Sequence, residues 1–160
     1  MLTLRCTAKL LKQMRTTPDP TPPASTTRLG DWYANRIQVG RTPIVLAVSE
    51  KSLLPVLLPA RGVAKLPELL PDAVAEVLAF LEIPEDAIRA EIAAMKEGCV
   101  VAKTASRVVL GSMNDMARMT EAHIRSGRPL QDTSRYLTTV PFSPLKMHAP
   151  AHETRALLGG

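Results

Sequence analysis

Hydrophobic and polar residues alternate at the start of the chain. In MLTLRC, Leu2, Leu4 and Cys6 fall on one side and Thr3 and Arg5 on the other, which predicts a half-buried strand. The next residues, TAKLLKQM, have apolar positions at helical spacing behind a threonine suited to cap a helix. The chain is therefore expected to open with a strand and a short helix.

Three further runs lie between residues 31 and 59, and the first of them also alternates. They are DWYANRIQV, PIVLAVS and LLPVLLP, with short turns between them, and they predict three strands. Pro55 cannot donate a ladder hydrogen bond, so the third strand is expected at an edge or with a bulge. A helix over residues 31–38 is the alternative for the first run, because so short a pattern fits both periods.

Later runs repeat apolar residues every three or four positions, as amphipathic helices do. They predict helices within residues 67–81 and 84–97, a long helix from Ser106 to Gly127, and a short helix within 129–138. Ser112 offers a later start for the long helix. Between the second and third of these helices, CVVAKT predicts a strand.

Two segments lack such patterns. Residues 16–27 contain four prolines and predict a stiff, extended loop, and residues 146–160 predict a loosely held C-terminal tail. The remaining pattern predicts an α+β fold: a single domain over residues 1–145, with a small antiparallel sheet of about four strands packed against three to five helices.

The charge is unevenly distributed along the chain. The formal net charge is +5, yet residues 67–97 hold eight acidic and two basic residues, a net −6, so the remainder carries +11. Clustered Lys and Arg attract phosphate. We interpret the acidic stretch as the solvated face of a helical hairpin.

Composition excludes some classes of protein. With 46% hydrophobic and 22% charged residues the chain is typical of a globular protein, and no apolar run approaches the ~20 residues of a membrane helix. The N-terminus has no signal-peptide pattern, so we expect a cytoplasmic protein with no membrane partner. Cys6 and Cys99 lack the spacing of a metal or redox pair and are expected to be idle thiols.

Known catalytic motifs are missing from the sequence. There is no phosphate-binding glycine loop and no GxSxG pattern. His148 and His152, with Glu153 beside them, imitate a pair of metal ligands. Pro144 and Pro150 lie in the same segment, which is expected to be non-helical, so we predict no metal site and no cofactor.

Charged and polar residues inside apolar or tightly turned segments supply the remaining candidates. Such groups often only bond to one another, but acids that hold a metal or a proton, beside cations that meet a phosphate, would suit a hydrolase or nuclease. The catalytic candidates are Asp31, Glu50, Lys103, Arg107 and Asp115. The candidates for binding are Arg5, Lys9, Trp32, Tyr33, Arg36, Arg41 and Asn114.

Four segments together resemble a known family. LRCTAKLLKQM, STTRLGDWYANRI, VSEKSLLPVLLPA and AKTASRVVLGSMND are similar, in order and as far as about Leu145, to small bacterial proteins classed only as a domain of unknown function. The resemblance implies an occurrence alone or at the front of plasmid- or mobile-element-encoded proteins, and no activity to transfer. Met116 and Ser106 stand where relatives commonly have an aromatic residue and an asparagine.

Three hypotheses for function result. The first is a non-enzymatic module that binds nucleic acid or a protein partner through a basic surface, and the second is the metal-assisted hydrolase or nuclease described above. The third is an antitoxin-like or homodimeric interaction protein with an apolar patch at Met113, Met116 and Met119. For Trp32 and Tyr33, a role in the core is favoured over stacking on bases.

Overall fold

The alternating segments form the strands of one sheet. In the computed structural model, which describes residues 1–159, five strands, six α-helices and two short 3₁₀ helices are present. The strands are β1 (Leu2–Cys6), β2 (Trp32–Val39), β3 (Thr42–Ser49), β4 (Pro55–Pro59) and β5 (Cys99–Lys103). The α-helices are α1 (Ala8–Met14), α2 (Leu66–Phe80), α3 (Glu85–Lys96), α4 (Arg107–Arg125), α5 (Leu130–Leu137) and α6 (Pro150–Leu158). The 3₁₀ helices span Val63–Lys65 and Ser143–Leu145.

The sheet is mixed. Its strand order is β4-β3-β2-β1-β5, and β1 is parallel to both of its neighbours, whereas β2, β3 and β4 pair antiparallel. The α+β class is confirmed. The details differ from the expected antiparallel sheet of about four strands and three to five helices, because side-chain alternation is the same in parallel and antiparallel strands and cannot reveal the pairing direction.

Each face of the sheet has its own core. Trp32, on one face, packs among the apolar residues of α1, α2, α3 and α6; Tyr33, on the other, packs among those of α4 and α5. We call these the first and the second face. The strand over Trp32–Val39 is confirmed, and the alternation between the two aromatic residues sends each ring into a different core.

The proline-rich segment covers the part of the second face that no helix reaches. Thr3 Oγ1 donates to the carbonyl of Pro23 at 2.6 Å, and the Thr3 amide donates to Ser25 Oγ at 2.8 Å. Farther along, Asp19 N donates to the carbonyl of Val101 at 2.8 Å, at the outer edge of β5. The segment is extended as predicted and is bonded to β1 and β5.

Two helices, α4 and α6, can be compared with the sequence predictions for their segments. Ser106 Oγ accepts a hydrogen bond from Val109 N at 3.2 Å, so α4 begins at the earlier of the two predicted starts and Ser112 lies inside it. Residues 150–158, expected to belong to a loose tail, form α6. Pro150 occupies the first helical position, which tolerates proline, and Leu158 is buried in the first core.

None of the helices described among residues 1–159 combines the length and apolarity needed to cross a membrane.

The burial of the single tryptophan generates a prediction about the fold. Trp32 is 0% exposed, so native emission should be blue-shifted and insensitive to iodide, and it should shift to the red in one step on denaturation. Steady-state fluorescence with iodide quenching, in native buffer and in denaturant, checks this. Native emission resembling that of free tryptophan would contradict the core position of this ring.

Candidate functional site

A buried ion pair ties the middle of the sheet together. Arg5 Nε donates to Asp31 Oδ2 at 2.8 Å, with side chains 19% and 8% exposed. The parallel register sets Arg5 beside Tyr33, so its side chain reaches the residue that precedes β2. Arg5 Nη1 also donates to the carbonyl of Lys103 at 3.0 Å, which links the pair to β5.

The Asp31 carboxylate is held from both sides. Its Oδ1 accepts from the amide and the hydroxyl of Ser25 at 3.1 and 2.8 Å, while Oδ2 accepts from Arg5. A carboxylate that serves as a general base needs an accessible lone pair near its substrate. Asp31 is buried and fully engaged, so its arrangement is that of a structural anchor.

Tyr33 and Glu50 lie around the same pair. The Tyr33 hydroxyl accepts from the amide of Ser106 at 3.1 Å, which fixes the start of α4 against the sheet. Burial raises the pKa of Tyr33, with the Ser106 hydrogen bond opposing the increase. Glu50 is exposed and accepts from the amide of Asp31 at 3.2 Å through Oε2. Neither aromatic ring offers a free face, since Tyr33 and Trp32 are both buried.

Strands β1 and β5 create a crevice at their carboxyl ends. They are parallel neighbours, with Cys6 beside Lys103. After Cys6 the chain enters α1 on the first face, and after Lys103 it enters α4 on the second. Ligands of open sheets with parallel strands bind where neighbouring connections diverge to opposite faces. The topology therefore marks this end of the sheet as the candidate site.

Five basic residues occupy this end of the sheet, and we call them the basic edge. Lys9 lies in the first turn of α1, Arg36 lies in β2, Arg41 lies in the β2–β3 turn, Lys103 ends β5 and Arg107 begins α4. None of these five side chains forms an ion pair with any residue in 1–159. Arg36 is half-buried and the others are exposed, so their charge is available to a ligand.

A groove of about 630 Å³ lies beside this edge. Its walls include Arg5, Lys103 and Thr104 together with three prolines of the extended segment. Asp19 also lines it, with Oδ1 held by the amide of Thr21 at 2.9 Å. On the other side of β1, Thr7 Oγ1 donates to Asn35 Oδ1 at 2.8 Å. Thr7 was not among the sequence candidates, although it directly follows a parallel strand.

Asn114 and Asp115 occupy a different place. They lie beyond the first two turns of α4, where Asp115 pairs with Arg118 at 2.8 Å, and they line a separate groove of about 680 Å³ with Arg107 and Phe142. The structure therefore brings Arg5, Asp31, Glu50 and the backbone of Lys103 together, and it places Asp115 elsewhere.

Glu91 departs from the solvated acidic face that the sequence indicates. It is 3% exposed, and its carboxylate accepts from the amides of Arg28 and Leu29 at 3.0 and 3.4 Å. Burial raises the pKa of Glu91, and the two amide hydrogen bonds partly oppose the increase. Its sequence signal was weak: it lies one residue before Ile92, beside the apolar stripe of α3.

Removing Arg5 should be costly. Arg5→Met keeps the aliphatic stem but leaves Asp31 charged, buried and without its cation, which is expected to lower the free energy of unfolding by about 3 kcal/mol. Urea denaturation of Arg5→Met, Asp31→Asn and the double variant measures the coupling between the two side chains. Strictly additive losses would contradict the ion pair.

The raised pKa of Glu91 predicts a pH-dependent stability. Because the folded protein holds this proton more tightly than the unfolded chain, Glu91 contributes stability below its ordinary pKa, and this contribution is lost as the pH rises through the folded pKa. The Tm of Glu91→Gln minus the Tm of the parent should therefore increase as the pH is raised from 4 to 7. The exposed Glu68→Gln is the control, and parallel Tm profiles for the parent and Glu91→Gln would rule out the effect.

Comparison with known proteins places the chain in a family. The family model described as "Domain of unknown function (DUF6933)" matches residues 3–153, which include all of β1 except Leu2, the other four strands, the basic edge and the start of α6. No curated protein matches the chain. The match confirms the resemblance to a domain-of-unknown-function family: the chain belongs to the family of the domain of unknown function DUF6933.

Proposed function

We propose that the protein is a non-enzymatic binding module whose basic edge contacts the phosphates of a nucleic acid. The observation that carries the proposal is the crevice between the carboxyl ends of β1 and β5, where the connections diverge to opposite faces and where the exposed Lys103 and Arg107 make no ion pair within the described chain.

The start of α4 supports an anionic ligand. This helix has 19 residues, no acidic residue in its first turn, and Arg107 at its first position. Amides at a helix N-terminus carry partial positive charge and favour phosphate. Lys103 lies four residues earlier on the neighbouring strand end, so cationic side chains and the helix dipole act in the same direction.

The charge distribution also favours this end of the sheet. The acidic stretch of residues 67–97 corresponds to α2 and α3, which pack on the first face, whereas the basic edge lies at the strand ends. An anion approaching the crevice therefore meets mostly positive side chains, with Asp19 as the one carboxylate lining the adjoining groove.

The mode of binding follows from what is buried. Since Trp32 and Tyr33 are inside the two cores, base stacking on these rings has no support, and contacts to the phosphate backbone remain. Such binding depends steeply on salt and only weakly on sequence. The hydrolase alternative has less support, because Asp31 is buried and engaged and Asp115 lies away from it.

The proposal predicts a defined response to mutation. Lys103→Ala keeps the carbonyl that accepts from Arg5, so the sheet should be preserved while one cation is lost. Lys103→Ala and Arg107→Ala should each weaken binding several-fold and reduce the slope of log K against log salt by about 0.7 to 0.9 per phosphate contact. Fluorescence anisotropy with end-labelled single-stranded and duplex 20-mers at 50 and 200 mM salt measures both quantities.

Arg128→Ala is the matched control, because Arg128 is exposed and lies between α4 and α5, away from the basic edge. It should bind like the parent. Equal losses in the control and the edge variants would indicate a response to net charge alone. Absence of binding to every oligonucleotide at 50 mM salt would overturn the proposal in favour of another partner.

A further inference from the structure

Two histidines and a glutamate gather at the start of α6. His148, His152 and Glu153 each offer a ligand atom, and these atoms lie within 4.8 Å of one another. The two imidazole rings are stacked, with their centroids 4.2 Å apart and an angle of 14° between their planes. Both histidines are exposed and Glu153 is half-buried, so the cluster is open to an ion from solvent.

The backbone before α6 places His148 beside the helix. Phe142 N donates to the carbonyl of His148 at 3.1 Å, and Met147 N donates to the carbonyl of Phe142 at 3.1 Å. Lys146 and Met147 both have left-handed backbone, with φ of 54° and 64°, and they turn the chain back within this short loop. Pro150 then begins α6, which puts His152 and Glu153 in its first turn.

This geometry removes the reason for predicting no metal site at His148 and His152. The spacing of the histidines was discounted because the segment was expected to be non-helical, whereas Pro150–Leu158 is a helix whose Ala151 and Leu158 are buried. His152 and Glu153 are therefore attached to a packed helix, and His148 to the hydrogen-bonded turn that precedes it.

We propose that His148, His152 and Glu153 form a site for a divalent transition-metal ion of the zinc type. Imidazole nitrogen and carboxylate oxygen are ordinary zinc ligands at about 2.0 to 2.2 Å, which puts neighbouring ligand atoms roughly 3.4 Å apart in a tetrahedral site. The ligand atoms already lie within 4.8 Å of one another, so a shortening of at most about 1.4 Å brings them to that separation. Three protein ligands leave a fourth position for water.

The donor set disfavours the common hard cations. Magnesium and calcium take oxygen ligands, and two of the three donors here are imidazoles. The cysteines are not part of this site: Cys6 is 0% exposed, and neither cysteine belongs to the group of three potential ligands found among the described residues. The site shares no residue with the basic edge and does not depend on the function proposed for it.

A bound ion would join the turn that ends at His148 to the first turn of α6. This helix closes part of the first core through Ala151 and Leu158. Its Thr154 hydroxyl donates to Ser52 Oγ at 3.0 Å. Zinc is therefore expected to raise the Tm in a concentration-dependent way.

The test is zinc binding to tag-free protein, measured by competition with a chromophoric zinc chelator and by the zinc dependence of the Tm. We expect one ion per chain. His148→Ala and His152→Ala should each weaken binding at least about tenfold, and Glu153→Gln should weaken it less than either. A tenfold excess of magnesium over zinc should not displace the ion.

His123→Ala is the control, because His123 is the third histidine and stacks on Tyr136 instead, with centroids 4.2 Å apart. It should retain the affinity of the parent. Circular dichroism of each variant separates loss of the site from loss of the fold. Zinc binding unchanged in folded His148→Ala/His152→Ala protein, or no zinc binding by the parent, would overturn the proposal.

Discussion

The ion pair between Arg5 and Asp31 is the interaction on which the middle of the sheet depends. Parallel neighbours cannot be joined by a tight turn, so β1 and β2 are separated in sequence by α1 and the proline-rich segment. Arg5 bridges this separation by bonding to Asp31, and it adds β5 through the carbonyl of Lys103. One side chain thus links three strands that are distant along the chain.

The same network explains why the proline-rich segment is ordered. Ser25 donates twice to Asp31 and accepts from the amide of Thr3, so the segment satisfies polar groups that the buried carboxylate and the strand would otherwise leave unpaired. Because proline limits the conformations of the unfolded chain, fixing this segment costs less entropy than fixing a flexible loop. It can therefore cover the second face where no helix packs.

Periodicity in the sequence was sufficient to predict most of the strands and helices, but it did not predict how they are arranged. Alternation predicted β1 and β2, short runs rich in apolar residues predicted β3, β4 and β5, and helical spacing predicted α4, because burial imposes these patterns on the sequence. Pairing direction leaves no such trace, so the parallel strands and the crevice between them were not foreseen. The buried residues of α6 include Pro150 and Thr154. Because one is a proline and the other is polar, the segment lacks the apolar pattern by which a helix is predicted.

The candidate residues fall into two groups, those whose side chains bond to each other and those whose side chains make no ion pair. Arg5 and Asp31 were singled out as polar groups in apolar surroundings, and they bond to each other; sequence alone cannot distinguish a satisfied buried pair from a reactive one, since both need the same residue types. Lys103 and Arg107 were chosen from the same surroundings, yet their side chains make no ion pair within the described chain. The ion pair holds the strand ends at fixed positions, and cations carried on fixed strand ends lose little freedom when they meet an anion. Under the function proposed above, such an edge would hold phosphates through Lys103 and Arg107, while the Asp31 carboxylate, which accepts three hydrogen bonds, keeps the strands in place.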